Sequence, residues 1–129
     1  MTCLIACLTT GKGSWSEVVK IINSEQWDKI FLITNEFGKE KFKHEKAQLI
    51  TVNDSMSANE MCDAIHTGLK GHTEFNDAAV NLTSGTGKEH MALITAVLRT
   101  GAGIRLVTIE NDKLAEIPIF KALPDTTSI

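Results

Sequence analysis

Thr2–Leu8 (TCLIACL) is an almost unbroken apolar run that ends at once in a Gly-Lys-Gly break. A strand with one face in water would alternate apolar and polar residues. A continuous run reads instead as a strand buried on both faces, which a parallel sheet covered by helices provides. Shorter apolar runs recur at Lys29–Thr34 (KIFLIT), Gln48–Val52 (QLITV), Ala78–Leu82 (AAVNL) and Gly103–Ile109 (GIRLVTI). Between them lie helical patterns. Ser14-Trp15-Ser16-Glu17 has capping-box spacing before Val18, Val19, Ile21 and Ile22, and Ser57-Ala58-Asn59-Glu60 has it before Met61, Ile65 and Leu69. Asn35–Lys46 is charged and predicts a short solvated helix. Thr86–Arg99 carries Met91, Leu93, Ile94, Val97 and Leu98, with Met91 expected in the core, and Gly101 closes it. Leu114–Ile117, after the polar turn Glu110-Asn111-Asp112, predicts a small antiparallel strand. This alternation predicts an α/β domain over residues 1–120, Rossmann-like and doubly wound, with a mainly parallel sheet and helices on both faces. Residues 121–129 are expected to be a tail, with Asp125–Ile129 disordered or in contact with a partner.

The 129 residues suit one domain. Thirteen Lys and Arg stand against 16 Asp and Glu, a net charge of −3, so no basic field attracts duplex nucleic acid. Cys3, Cys7 and Cys62 fall among apolar neighbours without a close pair, as reduced buried thiols do. Cys3 and Cys7 would share one strand face. His44, His66 and His72 have no metal-ligand spacing with one another or with a cysteine, so no metal is expected, and no cofactor. No apolar run approaches the roughly 20 residues of a membrane span, and the N-terminus lacks a basic signal-peptide region. A cytoplasmic location without membrane contact is the expectation.

In open parallel sheets, ligands bind beyond the carboxyl ends of the strands. Three such ends carry polar loops here: Thr9-Thr10-Gly11-Lys12-Gly13-Ser14, Thr34-Asn35-Glu36, and Thr83-Ser84-Gly85-Thr86-Gly87-Lys88. The first and third combine hydroxyls, glycines and a lysine ahead of a helix. Glycines admit close backbone approach, helix-start N–H groups point at an anion, and lysine adds charge, so the pattern suits a phosphate. The same residues would also serve as tight turns and caps. Neither loop is a dinucleotide or triphosphate motif. Gly11-Lys12-Gly13 runs into Ser14-Trp15-Ser16, and Gly85-Thr86-Gly87-Lys88 lacks the Walker spacer, with Glu89 in place of Ser or Thr.

The run Val80–Ala92 (VNLTSGTGKEHMA) resembles the signature of CARF domains, the CRISPR-associated Rossmann fold, and the loop with Thr10 and Ser14 matches that family's other ligand loop. The likeness is to a single-domain, archaeal-type CARF protein. One departure stands out: the family places its lysine directly after Gly-Thr, whereas Gly87 intervenes before Lys88 here. The resemblance implies a homodimer that binds cyclic oligoadenylate, usually the tetra-adenylate, across its two-fold axis in type III CRISPR signalling. A separate effector protein would then receive the signal. Two outcomes stay open: slow metal-independent ring-nuclease cleavage to linear di-adenylate, or intact release by a sensor or sponge. A flavodoxin-like nucleotide enzyme outside CRISPR is the reading from another class.

The expected ligand contacts are Thr9, Thr10, Gly11, Lys12, Gly13, Ser14, Asn35, Thr83, Ser84, Gly85, Thr86, Gly87, Lys88 and His90. Lys88 is singled out because a cation at a helix start opposes the macrodipole unless an anion is bound. Were cleavage to occur, the ribose 2′-hydroxyl would attack its own 3′-phosphate to give a 2′,3′-cyclic phosphate, Lys88 or backbone N–H groups steadying charge and Ser14 or Thr10 holding register. Trp15 would pack in the core or stack on adenine. His90 would pack on its helix or move a proton.

Overall fold

The computed structural model describes residues 2–9, 12–71 and 77–119. In chain order it forms β1 (Cys3–Leu8), α1 (Lys12–Ser24), β2 (Lys29–Thr34), α2 (Glu36–Lys41), β3 (Ala47–Thr51), α3 (Ala58–Leu69), β4 (Asp77–Asn81), α4 (Gly87–Arg99), β5 (Gly103–Glu110) and β6 (Lys113–Ile117). The sheet order is β3-β2-β1-β4-β5-β6. β1 to β5 pair in parallel, and β6 returns antiparallel to β5 through the positive-φ pair Asn111 and Asp112, residues that accept the left-handed region. The fold is α/β and Rossmann-like.

β1 lies between two strands and two helical layers, which is why its run never alternates. Cys3, Ile5 and Cys7 face the layer of α3 and α4, while Leu4, Ala6 and Leu8 face the layer of α1, and all six side chains are buried. Each fully buried Leu or Ile there stabilises the fold by roughly 1.5–3 kcal/mol. The chain winds outward from β1 to β3, crosses back, and continues outward from β4. The order therefore reverses between β1 and β4, with α1 leaving one face and α4 the other.

Three local expectations shift. α1 starts at Lys12, so Ser14 lies inside its first turn and is not the cap. α2 stops at Lys41, because Phe42 turns to extended backbone and packs against the α1-side core beside Trp15. Met91 is 62% exposed and Leu98 56%, against the expectation for Met91. The buried stripe of α4 is Glu89, Ala92, Leu93, Ala96 and Val97, and Met91 lies on the opposite side. A carboxylate holds the place in that stripe where an apolar residue was expected. No helix among the described residues is long and apolar enough to cross a membrane. The expected tail, 121–129, lies outside the described residues.

Candidate functional site

The β1–α1 and β4–α4 connections meet where the strand order reverses. Thr86 caps α4: its hydroxyl accepts the Glu89 N–H at 3.2 Å, and its own N–H donates to Glu89 Oε1 at 2.7 Å. This reciprocal box engages two of the helix's four orphan N–H groups. Glu89 Oε1 also accepts the Thr9 hydroxyl at 2.6 Å, and the Thr9 N–H donates to Ser84 Oγ at 3.2 Å. The two loops are thus joined through a carboxylate only 2% exposed. His90 Nε2 donates to the Ser84 carbonyl at 2.8 Å; a carbonyl can only accept, so the proton sits on Nε2.

The glycines of this loop differ in kind. Gly85 has φ +105, and a Cβ there would lie 3.0 Å from Cys7 Cβ and 3.1 Å from Glu89 Oε1, so the turn itself demands glycine. Gly87 is the first residue of α4, is exposed, and would place a Cβ with no atom within 4 Å. Among the described residues, nothing requires a glycine at that position. Its N–H and that of Lys88, the remaining two orphans, have no protein partner among the described residues.

Charge is arranged unexpectedly. Lys88 Nζ donates to the carbonyls of Met56 at 2.7 Å and Asp54 at 3.0 Å, so it ties the β3–α3 loop to α4 while its cation remains at the rim. Asn35 caps α2 by accepting the Gly38 N–H at 2.9 Å, and its amide donates to the Thr9 carbonyl at 3.2 Å. Thr83 is exposed; its hydroxyl donates to the Glu17 carboxylate and accepts from Asn81 Nδ2 at 3.0 Å. Burial pushes the Cys7 thiol up to about 12, helped by the negative charge of Glu89.

Of the residues expected from sequence, Thr9, Ser84, Thr86 and His90 share one network, with Gly85 in the turn they enclose and Gly87 at its mouth. Asn35 and Lys88 join it at its margins. Ser14 sits half-buried in the first turn of α1. Thr10 and Gly11 lie outside the described residues, as does the side chain of Lys12, and Gly13 is described only as part of the backbone of α1. Trp15 packs against Phe37 and Phe42 with ring centroids 5.8 and 6.5 Å apart, on the core side of the two placements open to it. Glu17 and Glu89 were not foreseen as site residues. Thr86-Gly87-Lys88-Glu89 carries the box spacing that would have found Glu89.

The chain matches no family model and no curated protein. The site is therefore read from its own residues. Among the described residues no group of His, Cys, Asp or Glu converges as a metal site. A depression lined by Trp27, His44 and Lys46 lies at the amino ends of the strands, on the far side of the sheet from these loops.

Proposed function

We propose that the rim formed by the β1–α1 and β4–α4 loops binds a cyclic oligoadenylate, with cyclic tetra-adenylate as the principal ligand. Gly87 carries the reading. Gly87 stands at the first helical position with an ordinary helical backbone, where alanine would serve the helix as well, and among the described residues no close neighbour requires the missing Cβ. What glycine does leave is open access to the Gly87 and Lys88 N–H groups, at the positive end of α4 and at the strand-order reversal. The likeness of Val80–Ala92 to the CARF signature points to the same ligand, and Gly87, the residue that departs from that signature, is the one that opens the approach.

The protein acts as a binder in type III CRISPR signalling, and passes its state to a separate effector. Its reactive groups near the rim are already engaged: Glu89 by Thr9 and Thr86, His90 by Ser84, Lys88 by two carbonyls. Ring opening, where it occurs, proceeds slowly by attack of the ligand's own 2′-hydroxyl on the adjacent phosphorus, which breaks the bond to the 5′-oxygen of the next nucleotide and leaves a 2′,3′-cyclic phosphate, with backbone N–H groups steadying the phosphoryl oxygens.

The ligand is shared by a homodimer. Arg99 pairs with Asp63 of α3, and Lys88 reaches the loop before α3, so that side of α4 faces α3. The face of α4 turned away from the sheet carries exposed Met91 and Leu98, while Ile94, Leu82 and Leu106 are partly buried against the core and Ile117, the register partner of Leu106, is exposed. The exposed apolar face of α4 is where a second copy docks, bringing two rims together. Calorimetry with cyclic tetra-adenylate in EDTA, then chromatography after long incubation, tests the reading. One ligand per two chains is expected, recovered intact or slowly converted to di-adenylate. No heat with the cyclic ligand, or equal binding of a mononucleotide by a monomer, would contradict it.

A further inference from the structure

α2 is a charged helix with one exception. Glu36, Lys39, Glu40 and Lys41 are exposed, as suits a helix in water, and so is Phe37, with 48% of its surface open. A single exposed phenyl ring is ordinary on a protein surface. This ring is not single. It lies 5.8 Å from that of Trp15 at a 45° tilt, and Phe42 meets the same indole edge-on at 6.5 Å. The indole has its own anomaly: Nε1 is buried and has no hydrogen-bond partner. A phenylalanine at position 15 would pack against Phe42 without an unpaired donor, so packing alone does not account for the tryptophan. The pair stands at the carboxyl ends of β1 and β2. Asn35, which caps α2 two residues before Phe37, donates its amide to the Thr9 carbonyl just beyond β1.

We infer that Phe37, backed by Trp15, is a stacking seat for a nucleobase, and that one adenine of the proposed ligand lies on it. This rests on the proposed nucleotide site and names where a base goes. β1 flanks the strand-order reversal, and β2 lies one strand further, about 4.8 Å, a step that a nucleotide's sugar spans between phosphate and base. A purine offers a broad flat face to an exposed aromatic ring, and such stacking gains free energy whatever the charge nearby. Its ring nitrogens accept hydrogen bonds, the chemistry that the unpaired indole N–H lacks. The charged neighbours of Phe37 leave its ring as the one exposed apolar face of α2, so the base has a single place to settle on that helix.

Calorimetry with cyclic tetra-adenylate compares wild type with Phe37→Ala, Phe37→Leu and Phe37→Trp. The ring at position 37 is half in water, so all three variants should fold, and thermal unfolding checks that they do. Phe37→Ala should weaken binding about tenfold. Phe37→Leu keeps an apolar side chain without a π-face and should lose nearly as much. Phe37→Trp should bind at least as tightly as wild type. Equal affinities for wild type and Phe37→Ala would overturn the stacking seat and leave the nucleotide site standing. Phe37→Leu binding as wild type does would reduce the contact to apolar area and overturn stacking. Wild type showing no binding would overturn the nucleotide site and the seat with it.

Discussion

α3 and α4 begin with the same local device, and the comparison separates scaffold from site. Ser57 and Glu60 form a reciprocal box at α3, as Thr86 and Glu89 do at α4. At α3 the glutamate is exposed, the first helical residue is Ala58, and the box does nothing but start a helix. At α4 the glutamate is buried, takes a third hydrogen bond from the neighbouring loop, and is preceded by a glycine at the first helical position. Identical capping chemistry has been turned inward and joined to β1 in one case only. Lys88 connects the two, since it leaves the α4 box and ends on the carbonyls just ahead of Ser57.

The sharpest way to break this contrast is to remove each glutamate. Glu89→Ala leaves the Thr9 hydroxyl and the Thr86 N–H without their buried acceptor and should cost about 3 kcal/mol in urea unfolding. Glu60→Ala should produce only a small shift, its partners being open to water. Equal losses would mean the two boxes are equivalent.

Acid and alkali should separate them too. Hydrogen bonds from Ser57 hold the Glu60 carboxyl below its ordinary value. Its folded value being depressed, its contribution is present at neutral pH and lost as pH falls through the carboxylate range. Cys7, beside Glu89, behaves oppositely: its folded value of about 12 exceeds the ordinary 9.0, so the folded state keeps a proton the unfolded state releases. Stability should fall by about 1.4 kcal/mol per pH unit as pH rises from 9.0 toward 12, and Cys7→Ala should flatten that slope. Urea midpoints at successive pH values check both signs.

Smaller effects sharpen the contrast. Lys88→Ala should speed amide hydrogen exchange around Asp54–Ser57 several-fold, with little change at Thr9, because the ammonium holds the α3 approach and not the β1 loop. Ala58→Gly should lower stability by about 0.5–1 kcal/mol and leave ligand affinity unchanged, as expected of a helix start with no other role.

The fold was legible because its signals are local. β2 runs from Lys29 to Thr34 as its apolar run does, and the positive-φ turn at Asn111-Asp112 sits where the polar triplet placed it. The Ser57–Glu60 box was equally plain. Where tertiary contacts chose between equal local options, the sequence was silent. Ser14-x-x-Glu17 has box spacing, yet α1 starts earlier and Glu17 goes to Thr83 instead. Met91 looked like core because apolar identity does not reveal which side of a helix faces the sheet, and the burial of Glu89 was hidden because charge argued for water, although its box spacing with Thr86 was legible. That Lys88 also reaches the carbonyls of the β3–α3 loop was not legible, because only the tertiary fold brings that loop within its reach.

Gly87 tests the central claim most directly. Gly87→Ala adds a methyl where the protein has open space, so thermal stability should hold or rise, while cyclic tetra-adenylate affinity measured by calorimetry should fall tenfold or more. Unchanged affinity in a variant as stable as wild type would contradict a ligand approaching the start of α4.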